Sequence, residues 1–172
     1  EATGYGATYY LMEVLKHFGE DLKGKTVAVS GFGNVAWGVC EKVAQLGGKV
    51  VTISGPDGYV YDPDGIVTEE KIAYLLEMRA SGRDKAHYAD KFGCEFHAHE
   101  KPWGVKVDVC MPCATQNEIG MEEAKKIVEN GVPYYIEVAN MPTTNEALEY
   151  LQKSVKVVAP SKAVNAGGVA TS

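Results

Sequence analysis

Residues 25–35, KTVAVSGFGNV, constrain this chain more than any other stretch: an apolar run feeds directly into a glycine-rich turn and then into an amphipathic segment. Lys25 to Ser30 reads as a buried strand, and Gly31, Phe32, Gly33, Asn34, Val35 and Ala36 make a G-x-G-x-x-A turn. Gly31 suits the tight turn, Gly33 lets backbone approach a pyrophosphate, and Ala36 lets the next helix sit close to the strand. That helix would aim its free N–H groups and the positive end of its dipole at the phosphate. The same spacing occurs in strand–turn–helix units that bind nothing. The strand before it and the helix after it are the context that favours a dinucleotide.

Around that turn the sequence alternates strands and helices. Ala7, Tyr10, Leu11, Val14, Leu15 and Phe18 recur at helical spacing over residues 6–18, and Val35, Val39, Val43 and Leu46 do so after the glycine turn. Lys49–Ser54, Val107–Met111, Tyr134–Val138 and Val155–Ala159 read as further strands of a parallel sheet. Tyr59-Val60-Tyr61, flanked by Gly-Pro-Asp-Gly and Asp-Pro-Asp-Gly, reads as a small hairpin at the end of the second strand. Helices are predicted from Thr68, as cap, through Met78, over Met121–Glu129, over Asn145–Leu151, and from Ser161 to Ser172. Residues 81–104 are irregular, with a short helix near Tyr88 and an edge strand near Phe96. The fold class is therefore α/β, a doubly wound, mostly parallel sheet with helices on both faces, in one dinucleotide-binding domain over residues 1–172.

In such a sheet ligands bind beyond the carboxyl ends of the strands. Those ends hold Gly31–Asn34, Ser54–Asp57, Ala114-Thr115-Gln116, Ala139-Asn140 and Ser161-Lys162 followed by Asn165. Small, amide and hydroxyl residues suit a coenzyme's ribose, phosphates and carboxamide, although turns favour the same residues. The first carboxylate after the second strand is Asp57, and no Arg or Lys follows closely enough to clamp a 2′-phosphate, Lys71 being already in the next helix. That balance favours NAD over NADP. Lys162 alone among the edge residues could titrate usefully, and a solvated or backbone-bonding lysine is its plainer role. Hydride transfer fits such an edge, because the coenzyme carries the hard chemistry.

Composition narrows the partners. With 45% hydrophobic and 23% charged residues and a net charge of −6, the chain has a core-forming composition and no basic stripe for nucleic acid. No apolar run approaches a membrane span, and a cytoplasmic address follows as the simple expectation. Four cysteines are few for a disulfide framework. Cys110 and Cys113 match C-x-x-C, and Cys94, His97 and His99 could ligate, but neither set has the scaffold of a redox or zinc site; packed or solvated side chains are expected and no metal. A start at Glu1 without methionine and a stop at Ser172, straight after a glycine-rich segment, suggest a piece of something longer.

Five stretches together carry a resemblance. They are Glu1 to Gly6 (EATGYG), Ser30 to Ala36 (SGFGNVA), Met111 to Asn117 (MPCATQN), Ile136 to Thr144 (IEVANMPTT) and Pro160 to Gly168 (PSKAVNAGG). From end to end the chain resembles the coenzyme domain of hexameric glutamate dehydrogenases. The resemblance implies reversible deamination of L-glutamate to 2-oxoglutarate and ammonia with NAD or NADP, in a homo-hexamer of two-domain subunits. It implies coenzyme contacts at Thr3, Gly31, Gly33, Asn34, Ala36, Ser54, Ala114, Thr115 and Asn140, with Pro56 and Asp57 in a specificity loop. Asn165, Gly167, Val169 and Ser172 match its substrate end, Ser172 through its hydroxyl. The catalytic lysine and aspartate belong to an N-terminal domain, so this stretch alone is expected to be inactive; a C-terminal segment that packs back across the cleft is likewise expected outside it. A leucine, phenylalanine or valine dehydrogenase, or a non-catalytic dinucleotide-binding regulator, are the alternatives.

Overall fold

A seven-stranded sheet in the order β4-β3-β2-β1-β5-β6-β7 forms the middle of the molecule. The structure is a computed structural model that describes residues 2–81 and 85–164. In chain order it runs α1 (Ala2–His17), β1 (Thr26–Val29), α2 (Asn34–Gln45), β2 (Lys49–Gly55), β3 (Gly58–Tyr61), α3 (Glu69–Ser81), α4 (Ala86–Phe92) and β4 (Glu95–Ala98). After a 3-10 turn (Pro102–Gly104) come β5 (Val109–Met111), α5 (Met121–Glu129), β6 (Tyr134–Ile136), α6 (Asn145–Ser154) and β7 (Val157–Ala159).

The five strands expected to be parallel are parallel, through the pairs β1–β2, β1–β5, β5–β6 and β6–β7. Their carboxyl ends therefore share one edge. From β1 the chain steps to β2 on one side and returns to place β5 on the other, so the strand order reverses between β1 and β5. The Tyr59–Tyr61 segment does more than the small hairpin expected of it. It pairs antiparallel with β2 and then with β4, extending the main sheet by two strands.

Helices cover both faces. Val27, Val29, Val50, Ile53, Val109 and Met111 point to one side, against Leu11 and Leu15 of α1, Val39 and Val43 of α2, Met78 of α3 and Tyr88 of α4. Ala28, Val51, Cys110 and Tyr135 point to the other, against Trp103, Ile127 of α5 and Leu151 of α6. The alternation along β1 and β5 is what a parallel strand buried on both faces produces, and each large apolar side chain so buried contributes about 1.5–3 kcal/mol. Cys110 and Cys113 fall in these two different cores, which separates the C-x-x-C pair by the thickness of the sheet. All four cysteines are free, and burial pushes the Cys40 thiol up to about 12 and Cys94 to about 11. No group of three or more His, Cys, Asp or Glu that could hold a metal occurs among the described residues. No helix among them is long and apolar enough to cross a membrane.

Boundaries shift for physical reasons. The first helix starts at Ala2 rather than at residue 6, because Gly4 belongs inside it: a Cβ there would lie 2.5 Å from the Val35 carbonyl oxygen and 2.9 Å from the Val39 nitrogen. This glycine allows α1 to cross α2 at backbone contact. β6 ends at Ile136: Glu137 N–H still donates to the Ala159 carbonyl of β7 at 2.9 Å, but Val138 and Ala139 N–H then converge on the single Pro112 carbonyl, which breaks the regular ladder. Residues 161–164 are helical as expected, and the rest of the segment predicted to run to Ser172 lies outside the described residues.

Candidate functional site

At the reversal point a cleft of about 410 Å³ opens between the tips of β1, β2 and β5. Gly31 to Val35 form its floor, Gly55 and Pro56 one wall, and Cys113 and Ala114 the other. Gly31 has φ +88°, so the turn needs a residue without a side chain, and its missing Cβ would lie 3.3 Å from Ala114 Cα. Gly33 is different. Its φ is −92°, an ordinary value, and a Cβ built there meets nothing within 4 Å. Among the described residues nothing in the fold requires a glycine at position 33. As N-cap of α2 it also gives no side-chain hydrogen bond to the first-turn amides, which leaves those donors for an anion.

The loop tips are tied to one another. Gly31 N–H donates to Ser54 Oγ at 3.0 Å and Ser54 N–H returns a bond to the Gly31 carbonyl at 3.3 Å. Asn117 N–H donates to the Met141 carbonyl at 3.0 Å and Ile119 N–H to Pro142 at 2.9 Å, which joins the loops after β5 and β6. Met141 N–H reaches Ser161 Oγ at 3.4 Å, and Ser161 N–H donates to Glu137 Oε1 at 2.8 Å. Thr115 and Asn140 thus stand exposed on the same rim as Asn34, at the ends of neighbouring strands. Thr3 is exposed on α1, next to the Gly4 crossing over the start of α2, and Ala36 is buried in the first turn of that helix. Ser54 is itself buried and its hydroxyl already serves the phosphate turn. Asn165, Gly167, Val169 and Ser172 lie outside the described residues.

Two expectations about charge need correction. A cation does reach the second strand's end. Lys85, at the start of α4, lines the cleft, places its ammonium 3.0 Å from Asp57 Oδ1 and 5.1 Å from the Phe32 ring centroid, and gives its own N–H to Asp57 Oδ2 at 3.0 Å. Burial opposes the charge on Asp57, but the amide, ammonium and field of Lys85 outweigh it and hold the carboxyl below its usual range. Their separation of 28 positions along the chain hides this pair from any reading of local sequence. Nor is Lys162, which is exposed, the one titratable group at this edge: the carboxylates of Glu118 and Glu137 are buried beneath it. Among the described residues, Glu137 Oε2 has no hydrogen-bond partner.

The whole chain, residues 1–172, matches the family model described as Glutamate/Leucine/Phenylalanine/Valine dehydrogenase. The chain belongs to this family. It is 68% identical to the NAD-specific glutamate dehydrogenase of Clostridium symbiosum, with all of this chain and 39% of that protein aligned. It is 48% identical to the NADP-specific glutamate dehydrogenase of Haemophilus influenzae, aligned over all of this chain and 38% of that one. A solved glutamate dehydrogenase, 68% identical, superposes with a TM-score of 0.91 over 97% of this chain and 38% of its own. The chain thus spans about 39% of the length of the curated relatives it matches.

Proposed function

We propose that this chain is the nicotinamide-coenzyme domain of a glutamate dehydrogenase, an enzyme that reversibly deaminates L-glutamate to 2-oxoglutarate and ammonia. The observation that carries the reading is Gly33, a glycine that only an occupant of the cleft needs, at the start of a helix whose amides are open to an anion. Relatives named glutamate dehydrogenase at up to 68% identity support the substrate. Gly31, Phe32, Gly33, Asn34, Val35 and Ala36 take the pyrophosphate, Ser54, Pro56 and Asp57 flank the adenosine ribose, and Thr3, Ala114, Thr115 and Asn140 face the remaining half. Asn165, Gly167, Val169 and Ser172 serve the substrate. The coenzyme supplies the hydride chemistry when bound. These residues orient it and keep water from one of its faces. The lysine and aspartate that move protons come from the remainder of the subunit, in a cytoplasmic homo-hexamer.

The test is glutamate-dependent NAD reduction. The complete subunit is expected to turn over, and residues 1–172 alone to bind coenzyme without turnover. Turnover by residues 1–172 would show that the proton-transfer group has been misplaced. Coenzyme binding without any turnover by the complete subunit would replace the enzyme reading with that of a regulatory module.

NAD is the preferred coenzyme on this reading, because Asp57 neutralises the only cation lining the cleft among the described residues. Asp57→Ser frees the Lys85 ammonium to meet a 2′-phosphate, and a charge-assisted pair of that kind is expected to shift the ratio of NAD to NADP affinities toward NADP by about tenfold. Titrating both coenzymes against the complete enzyme measures it. An unchanged ratio removes Asp57 and Lys85 from the specificity argument.

A further inference from the structure

We infer that Glu118 is a positioning residue that latches the loop after β5 to the end of β1 and so sets the wall of the cleft that receives the nicotinamide half of the coenzyme. The inference rests on the dinucleotide reading and adds to it a residue that lines no part of the cleft itself.

Glu118 is 8% exposed. Its Oε1 accepts from the Ser30 hydroxyl at 2.7 Å and from Ala114 N–H at 3.1 Å. The Ser30 oxygen in turn accepts from Cys113 N–H at 3.0 Å. One carboxylate oxygen therefore collects donors from the residue just before Gly31 and from the opposite lip of the cleft. Lys101 fixes the Glu118 backbone, its ammonium lying 2.7 Å from the Glu118 carbonyl oxygen. The two lips belong to strands that are neighbours in space but 88 residues apart along the chain between Ser30 and Glu118, so no local turn sets their separation. Gly31 presents no side chain to Ala114, which a Cβ there would approach to 3.3 Å. Remove the latch and, beyond the last β1–β5 pair at Val29 and Met111, only the Cys113 N–H to Ser30 Oγ bond still ties the two lips.

The choice of residue is informative. Burial raises the proton affinity of this carboxylate despite the hydroxyl and amide donors and the nearby Lys101 charge that favour ionisation. An apolar side chain would pack there without that cost but could not pull two donors to one point. The direction of the consequence follows from the sheet. The adenosine half of a dinucleotide lies over the end of β2, and the other half crosses the reversal point to the β5 side. Displacing the Ala114 lip harms the second half and spares the first.

The test compares NADH with AMP, which reaches only the adenosine side, as ligands of the complete subunit. Glu118→Ala is expected to weaken NADH about thirtyfold and AMP by less than about twofold, the loss corresponding to two donors left unpaired at the lip. Glu118→Gln keeps an acceptor oxygen and is expected to stay within about threefold of the parent for NADH. Equal weakening of both ligands in Glu118→Ala would reduce Glu118 to a general structural role, and unaltered NADH affinity would remove the latch altogether. If Glu118→Ala does not fold, Ser30→Ala decides: about fivefold weaker NADH with AMP unchanged supports the latch, and parallel losses overturn it. A parent subunit that binds neither ligand would instead overturn the coenzyme reading on which the latch depends.

Discussion

Gly31→Val is expected to raise the dissociation constant for NADH at least about a hundredfold in the complete subunit, a loss of ~2.8 kcal/mol. The residue sits at φ +88°, where an L side chain costs about 1–2 kcal/mol and a β-branched one more. Its Cβ would press on Ala114 at 3.3 Å, so the strain cannot be relieved toward the β5 lip. The remaining escape is rotation of the turn, which breaks the paired hydrogen bonds with Ser54 and swings the Phe32 and Gly33 amides off the cleft. Gly33→Ala is the counterpart. With φ −92° and open space around the new methyl group, it is expected to fold with unchanged stability and still bind coenzyme poorly. Calorimetric titration together with thermal melting separates the two. Full NADH affinity in Gly33→Ala would mean that the cleft does not take a pyrophosphate.

The second large effect concerns the scaffold. Asp62, 2% exposed at the end of β3, accepts from the Lys71 ammonium at 2.8 Å and the Tyr88 hydroxyl at 2.7 Å through the same oxygen. Lys71 also reaches the Gly65 carbonyl at 3.0 Å, so α3, α4 and the loop after β3 meet at one carboxylate. Asp62→Ala strands the buried Tyr88 phenol and leaves the half-buried Lys71 ammonium with the Gly65 carbonyl but no counter-charge, and breaking such a network by removing one partner costs about 3–5 kcal/mol. Urea unfolding of the complete subunit is expected to show that loss, and a cost below about 1 kcal/mol would demote the network to packing. Replacing all three by Leu, Met and Phe is expected to recover much of the stability, because matched apolar groups leave nothing unpaired. The network matters to the site because α4 carries Lys85 at its head.

Much of this architecture was written in short-range patterns. Residues 25–35 declared a strand, a phosphate turn and a helix, and the β-branched runs at Lys49 and Val107 announced parallel partners, because a strand buried on both faces has to be apolar throughout. Thr68 was legible as a cap and does accept from Lys71 N–H at 3.2 Å. What stayed hidden is long-range. Gly4 looks like a helix breaker until α2 is placed against it, and Tyr59–Tyr61 looks like an isolated hairpin until β4 supplies its other edge. Lys85 at Asp57 and Glu118 at Ser30 are pairings across 28 and 88 residues, and no spacing rule reaches that far. Of the carboxylates beneath the rim, Glu137 could have been suspected from its apolar neighbours in YYIEVA, whereas Glu118 follows the polar Thr115-Gln116-Asn117 and gives no such signal.

The ties that run from Ser54 through Gly31, Ser30, Glu118, Asn117 and Met141 to Ser161 form an unbroken chain along one edge of the sheet. The path is open at both ends, and single hydrogen bonds alternate in it with covalent backbone, so the tips of β2, β1, β5, β6 and β7 are cross-linked with no helix between them.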